Sequence, residues 1–216
     1  PNSLGIFEIW NWDDLAHVMH VQETYGPNGT KDLKGFMVMQ DIGVPGKSNY
    51  GDGSDLVNSD QTVRDAHSGD KKYGWYGYEG FEGNGDGIDN DALPSTPTNG
   101  HGWSAAEGWI PIGSDPNSSG TSFASEFDGQ GYEISGLWID RAAADNQGLF
   151  GYVDGATIFD LGVNISDAGV SGNTGVGGLV GAVYNTEIES CYVTGDVSGS
   201  GSEVGGLAGL AASTNM

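Results

Sequence analysis

The segment FEGNGDGIDNDALP, residues 81–94, has the residue types and spacing of a calcium-binding loop. Calcium takes about six to eight oxygen ligands, and a turning, Gly-rich backbone presents carbonyl oxygens as well as carboxylates. Acidic and amide side chains alternate here and are followed by Gly87 at the turn. The sequence therefore predicts a Ca²⁺ site with the ligands Glu82, Asn84, Asp86, Ile88, Asp89 and Asp91.

The acidic loop has an alternative interpretation, and a second segment is a weaker candidate for a calcium site. The loop departs from Asp-rich calcium repeats because Glu82 stands first and Leu93 stands where a bidentate acid is expected. A solvated acidic turn is the alternative. Asp52 and Asp55, in the segment NYGDGSD, form a second candidate with fewer oxygen ligands.

Next to the acidic loop, the segment KYGWYGYEGF (72–81) combines aromatic residues with glycines. Aromatic side chains on an irregular surface segment are typical of faces that bind sugars or proteins. The alternative is a small satellite core, since exposed aromatic residues favour unwanted association. We expect the ligand-binding residues Tyr73, Trp75, Tyr76 and Tyr78.

The sequence contains few residue patterns typical of a catalytic site. His17 and His20 have a spacing compatible with a metal, but no third ligand is evident, and neither HExxH nor GxSxG occurs. Carboxylates are too common for pairs to be informative, although glycoside hydrolysis needs only two of them. We expect no enzyme and keep a polysaccharide lyase or hydrolase as the alternative. The carboxylates considered are Asp128, Glu133, Asp140, Asp154, Asp160 and Asp167.

Charge excludes two classes of partner. Seven Lys and Arg face 30 Asp and Glu, so the formal net charge is −23. This charge repels nucleic acid and anionic lipid, and the sequence has no apolar run of the ~20 residues that span a bilayer. It suits a salty exterior or divalent cations, whereas simple solubility is the alternative. We expect a secreted or cell-surface protein, processed before Pro1 or cut from a longer chain.

The elements that position these candidates repeat along the C-terminal third. YEISGLWI (132–139), ATIFDLGV (156–163) and TEIESCYV (186–193) align without gaps, which predicts that Ile134, Ile158 and Ile188 stack. GLFG, GGLVG and GGLAG recur between them and align Gly148, Gly178 and Gly206. Periods of 24–30 residues are typical of β-solenoid coils, with glycine at tight corners or close backbone approaches.

The rest of the chain divides into a cap and an insertion. Residues 6–10 and 34–42 read as strands that flank an amphipathic helix at 11–25. We predict three parts: a strand-helix cap at 1–42, a long loop insertion at 43–108, and solenoid repeats at 109–216.

Together, the three Gly-Leu elements and the strand that accompanies each of them resemble the GLUG repeat. This motif is found in bacterial and archaeal surface proteins. The resemblance implies an all-β fold, a right-handed parallel β-solenoid on an extracellular protein, with no catalytic residues.

The resulting hypothesis is a non-catalytic, adhesin-like surface scaffold that calcium stabilises. Its partner would be a surface glycan or a protein. The alternative is a structural subunit that self-associates into a fibre or array, favoured by stacked turns that reach Leu210 without a cap in the sequence.

Overall fold

The computed structural model describes residues 5–10, 12–25, 33–43, 103–104, 107–115 and 121–212. In these residues the chain winds in successive coils, and each coil adds short strands to three mainly parallel sheets. The strands are rich in Val, Ile and Phe, which favour extended backbone, and the corners between them use Gly, Asn and Asp. The predicted all-β solenoid is therefore confirmed.

Sheet A contains five parallel strands in the spatial order β1-β2-β5-β8-β11. Four coils begin at β2, β5, β8 and β11, respectively, and β1 lies at the edge of the sheet among the described residues. The strands are Ile6–Ile9 (β1), Gly35–Val38 (β2), Glu126–Asp128 (β5), Thr157–Phe159 (β8) and Glu187–Glu189 (β11).

Sheets B and C form the other sides of each coil. In sheet B the long strands pair in parallel, whereas β3 pairs with β4, and β4 with β6, in antiparallel fashion. Sheet B contains Trp103–Ser104 (β3), Gly108–Trp109 (β4), Glu133–Asp140 (β6), Gly162–Gly172 (β9), Tyr192–Thr194 (β12) and Val197–Gly199 (β13). Sheet C is parallel and contains Phe150–Asp154 (β7), Val180–Tyr184 (β10) and Ala208–Ala212 (β14).

Inward side chains stack from coil to coil in columns, which we define as residues paired in register on neighbouring coils. In sheet A, Phe36 pairs with Phe127, Phe127 with Ile158, and Ile158 with Ile188. The first three are at most 1% exposed, and Ile188 is 5% exposed. Phe123 and Phe150, whose ring centroids are 5.0 Å apart, pack against the phenylalanines of this column. Burial of these columns is the main favourable term that holds the coils together.

The register predicted for the first repeat is wrong. Ile134 pairs with Val163, which in turn pairs with Val193, whereas the column of Ile158 and Ile188 contains Phe127. The coil that contains Phe127 makes an extra turn at residues 129–131, where the Tyr132 N–H donates to the Gly129 carbonyl. The extra residues bring YEISGLWI into sheet B, so a gapless alignment compares two different sheets.

The N-terminal helical segment is two helices rather than one. Trp12–Ala16 (α1) and Val18–Tyr25 (α2) are separated by a turn at His17, whose N–H donates to the Asp14 carbonyl 3.1 Å away. Both helices face the core, because Leu15, Val18 and Val21 are each 0% exposed.

Gln22 on α2 completes the hydrogen bonding of a backbone segment in the first coil. Its Nε2 donates to the Ser122 carbonyl at 2.9 Å, and its Oε1 accepts from the Ala124 N–H at 2.8 Å. The amide thus substitutes for the peptide group of a neighbouring strand. Gln22 is only 8% exposed, so these groups would otherwise be buried without partners.

Candidate functional site

The residues predicted to bind calcium and ligand lie outside the described residues. This holds for the loop ligands Glu82, Asn84, Asp86, Ile88, Asp89 and Asp91, and for Tyr73, Trp75, Tyr76 and Tyr78. Asp52 and Asp55 lie outside them as well. These assignments, and the part boundaries at 42/43 and 108/109, stay predictions.

Both ends of the predicted insertion meet the same strand. Before it, Ile42 forms a parallel bridge with Ile134 of β6. At its other end, Gly108 of β4, the last residue of the insertion, pairs with Ile139, further along β6. The segment therefore leaves and rejoins the solenoid at sheet B. β6 itself pairs with β9, so the attachment strand belongs to the rigid stack.

The Gly-Leu elements lie where neighbouring coils come closest. Gly148, Gly178 and Gly206 occupy one column, as predicted, since Phe150, Val180 and Ala208 are paired two residues later. A Cβ atom on Gly178 would lie 2.9 Å from the carbonyl oxygen of Gly206. In the third coil, the glycine directly before the leucine is thus required by the coil that stacks after it.

The last glycine of each element faces the opposite way along the stack. A Cβ atom on Gly181 would lie 2.6 Å from the Cα of Asn146, and one on Gly209 would lie 2.5 Å from the carbonyl carbon of Gly175. Both of these neighbours are corner residues of the preceding coil, with φ angles of 56° and 69°. The glycines of the repeated element therefore let neighbouring coils pack closely. This agrees with the close backbone approach predicted for them.

A polar cluster around Glu133 connects all four coils on the outside of sheet B. Its carboxylate accepts from Ser135 Oγ at 2.6 Å, from Tyr192 Oη at 3.0 Å and from Asn164 Nδ2 at 3.3 Å. Its backbone N–H donates to Asp41 Oδ1 at 2.9 Å. Tyr192 reaches Glu133 by crossing Gly162, where a Cβ atom would lie 2.5 Å from the tyrosine ring.

These hydrogen bonds set the ionisation of the cluster. Burial alone raises the pKa of Glu133, but the bonds from Ser135, Tyr192 and Asn164 outweigh it and lower that pKa below 4.5. The same bond to Glu133, together with burial, raises the pKa of Tyr192. Glu133 is therefore held as a carboxylate occupied by three donors, which suits a structural clamp better than general acid or base chemistry.

Three of the other candidate carboxylates also accept hydrogen bonds. Asp140 accepts from Ser171 Oγ at 3.1 Å, and Asp154 accepts from Asn185 Nδ2 at 2.9 Å, in each case from the following coil. Asp128 bonds Gln130 within its own turn. Residues 107–212 contain 14 Asp and Glu and a single basic residue, Arg141, so neutral Ser, Asn and Gln supply the partners.

A tyrosine pair on the outer face of sheet C was not predicted. The rings of Tyr152 and Tyr184 are stacked, with centroids 5.1 Å apart and planes 23° from parallel. Ala182, which pairs with Tyr152 and lies two residues before Tyr184 on β10, is 1% exposed. Burial, followed by the nearby Tyr184, Asp115 and Asp154, raises the pKa of Tyr152.

Cys191 packs against the core as predicted for a small apolar residue. Its Sγ lies 3.3 Å from the Glu189 carbonyl oxygen and 3.8 Å from that of Ile158. Burial raises the pKa of the thiol, which lowers its reactivity.

The described ranges contain neither a cluster of metal-binding side chains nor a helix that could cross a membrane. They contain no group of three or more His, Cys, Asp and Glu side chains that could hold a metal ion. His17 is buried and His20 is exposed. Across the same ranges no helix combines the length and the apolar character needed to cross a membrane.

Comparison with known proteins identifies one motif and one relative. Residues 172–198 match the family described as the GLUG motif, which confirms the resemblance and covers about one coil of the solenoid, from the end of β9 into β13. The chain is 37% identical over 107 residues to halomucin from Haloquadratum walsbyi (strain DSM 16790 / HBSQ001). That alignment covers 50% of this chain and 1% of halomucin, so the chain spans a very small part of its relative. No solved structure gives a significant match.

Proposed function

We propose that this chain is a non-catalytic, adhesin-like module of a secreted or cell-surface protein, in which the solenoid holds the insertion at 43–108 as a binding element. The observation that carries the proposal is the attachment of both ends of that insertion to β6, at Ile134 and Ile139. A rigid stack with a long segment fixed at two points of one strand is an arrangement for presenting a loop.

An extracellular location is supported by charge and by similarity. The near absence of basic residues from 107–212 leaves the surface anionic, which high external salt would screen. The matched motif and the 37% identity to halomucin fit a surface β-solenoid module. Antibody labelling of intact cells of the source organism, before and after lysis, tests this location. Labelling only after lysis would contradict it.

The binding role is tested on the aromatic residues of the insertion. The partner is a surface glycan or a protein, so labelled protein is added to whole cells and to immobilised glycans. The variant Trp75→Ala/Tyr76→Ala is expected to lose most of the binding, because aromatic side chains carry much of the energy of such contacts. Tyr132→Ala is a control in the solenoid, where Tyr132 is 37% exposed. Equal binding by the double variant and the native chain would reject the aromatic segment as the binding face.

The proposed calcium site is tested by calorimetry. A cation that binds only the folded state raises Tm with its concentration. Chelation with EDTA should therefore lower Tm, and Asp86→Ala/Asp89→Ala should remove that response. Asp167→Ala changes an exposed acid of the solenoid and should keep it. A Tm that chelation leaves unchanged would remove calcium from the proposal and leave the binding role intact.

Self-association is a second candidate, favoured by one observation. In the fourth coil Val204 is 43% exposed, whereas Val176, its partner in the third coil, is 0% exposed. Any coil stacked here, from a second copy or from a longer chain, would cover this apolar side chain. Light scattering at high protein concentration, in calcium and salt, should then show oligomers that Val204→Asp dissociates. A strictly monomeric native chain would rule this candidate out.

A further inference from the structure

We propose that Tyr152 and Tyr184, with Asp154 and Asn185 beside them, form a subsite for a neutral polysaccharide on the outer face of sheet C. The inference rests on the proposed role of the chain as a surface binding module. It adds a ligand class and a second position, because the four residues belong to the solenoid and not to the insertion.

The tyrosine pair is a preformed aromatic surface. Tyr152 lies on β7 and Tyr184 on β10, so the parallel pairing of the two strands fixes their spacing. Ala182, in register with Tyr152, is 1% exposed, while each tyrosine keeps part of its own surface exposed. Rigid tyrosine rings supply a large contact area at a small entropic cost, and the apolar C–H face of a sugar ring is a suitable partner for them.

Hydrogen-bonding groups border the rings. Asn185 Nδ2 donates to Asp154 Oδ1 at 2.9 Å, which orients both side chains. The Asn185 carbonyl oxygen and the second carboxylate oxygen of Asp154 are acceptors that sugar hydroxyls can reach from solvent. The space beside Gly155 at this corner is open, because a Cβ atom there would have no other heavy atom within 4 Å. An aromatic surface with a polar border and open space is an arrangement that a sugar chain can occupy.

Charge selects a neutral ligand. The carboxylates of Asp115 and Asp154 lie near Tyr152, and residues 107–212 contain only one basic residue. A uronate or sulfated chain would be repelled here, and so would a second copy of this anionic protein. A neutral chain carries no such penalty.

The test uses the full chain and isothermal titration with two neutral probes, cellohexaose and mannohexaose, and one anionic probe, hexagalacturonate. At least one neutral probe should bind saturably, and its affinity should change little with added NaCl. Tyr152→Ala and Tyr184→Ala should each weaken it by about fivefold or more, the loss expected for one aromatic contact. Tyr132→Ala, an exposed tyrosine outside sheet C, should bind like the native chain.

Two further variants keep the test valid if an alanine variant unfolds. Tyr184→Phe retains the ring and should keep affinity within about twofold of native, since stacking carries the contact. Asn185→Asp suits the corner, where φ is 46°, and should weaken binding because it removes the amide and adds charge. Circular dichroism confirms that each variant is folded.

Three results would overturn the inference: no saturable binding of either neutral probe, native affinity in the folded Tyr152 and Tyr184 variants, or equal binding of hexagalacturonate. If Trp75→Ala/Tyr76→Ala abolishes binding and the Tyr152 and Tyr184 variants do not, the insertion is the site. The proposed function would then stand, while this inference would fail.

Discussion

The third and fourth coils have matching residues but differ greatly in burial. Val176 and Leu179 of the third coil are 0% exposed. Of the corresponding residues in the fourth coil, Val204 is 43% exposed and Leu207 is only partly buried. A Cβ atom on Gly178 would collide with the next coil, while one on Gly206 would have no neighbouring atom within 4 Å. Residue type sets the column, but burial comes from neighbours on both sides. Stability in this solenoid therefore belongs to the contacts between coils.

Helices supply the missing neighbour at the opposite end of the described stack. There α1 and α2 cover the first coil, and the side-chain amide of Gln22 replaces a strand. The outermost coil is thus covered at one end of the described stack and more exposed at the other. Three matched pairs of substitutions and one single substitution test the contacts between coils.

Leu179→Ala against Leu207→Ala is expected to give the largest contrast. Truncating the fully buried Leu179 leaves a cavity and should cost about 2–5 kcal/mol of unfolding free energy. Leu207 has less contact to lose, so its truncation should cost at least about 1 kcal/mol less. Urea unfolding of both variants measures this. Equal losses would show that the two coils are equally buried in solution.

Gly178→Ala against Gly206→Ala tests close approach within one column. The added methyl group on Gly178 meets the Gly206 carbonyl oxygen and Val193, so we expect a loss of about 1–3 kcal/mol. Gly206→Ala should lie within about 0.5 kcal/mol of native. The comparison fails if Gly178→Ala is as well tolerated as its partner.

Gln22→Leu tests the covered end. The leucine keeps most of the volume but leaves the Ser122 carbonyl and the Ala124 N–H without the amide, at a cost of about 1–3 kcal/mol. Glu23→Gln, at the exposed neighbouring position, is the control and should be nearly neutral. Hydrogen exchange of the Ala124 amide should accelerate in Gln22→Leu only. Unchanged exchange would mean that Gln22 does not protect this segment.

Tyr192→Phe should have the smallest effect, about 0.5–1.5 kcal/mol, since it removes one hydrogen bond at an exposed residue. The pKa of Glu133 is lower in the folded chain than its ordinary 4.5. The stability that the ionised Glu133 contributes is therefore fully present above its ordinary pKa. It is lost as the pH falls through the pKa of Glu133 in the folded chain. Tyr192→Phe should shrink this acid-dependent loss, measured by urea unfolding from neutral pH to about pH 3. An identical pH profile would show that the bond does not form.

Features that repeat along the sequence can be predicted from it, whereas features that occur once cannot. The columns Gly148-Gly178-Gly206 and Ile158-Ile188 follow from spacing, since in-register coils preserve it. The Phe127 partner was missed because the turn at 129–131 breaks the spacing. Periodicity predicts a helix at 11–25, but the partners of Gln22 lie 100 and 102 residues away, beyond the reach of any local pattern.

The tyrosine pair also cannot be predicted from the repeats. Alignment of the coils places Tyr152 opposite Ala182, whereas the stacked partner is Tyr184, two residues further along β10. Diagonal contacts across a sheet leave no signal in a column. Two tyrosines at outward positions of neighbouring strands were the available clue.

Disulfide trapping tests the stacking register directly, in a Cys191→Ser background. Neighbouring parallel strands lie about 4.8 Å apart, within the reach of a disulfide. Glu126 and Thr157 are paired outward residues of sheet A, so Glu126→Cys/Thr157→Cys should cross-link rapidly under mild oxidation. Glu133 pairs with Gly162 in sheet B, so Glu133→Cys/Thr157→Cys should stay reduced. Efficient cross-linking of the second pair, without the first, would contradict the arrangement of coils on which every proposal rests.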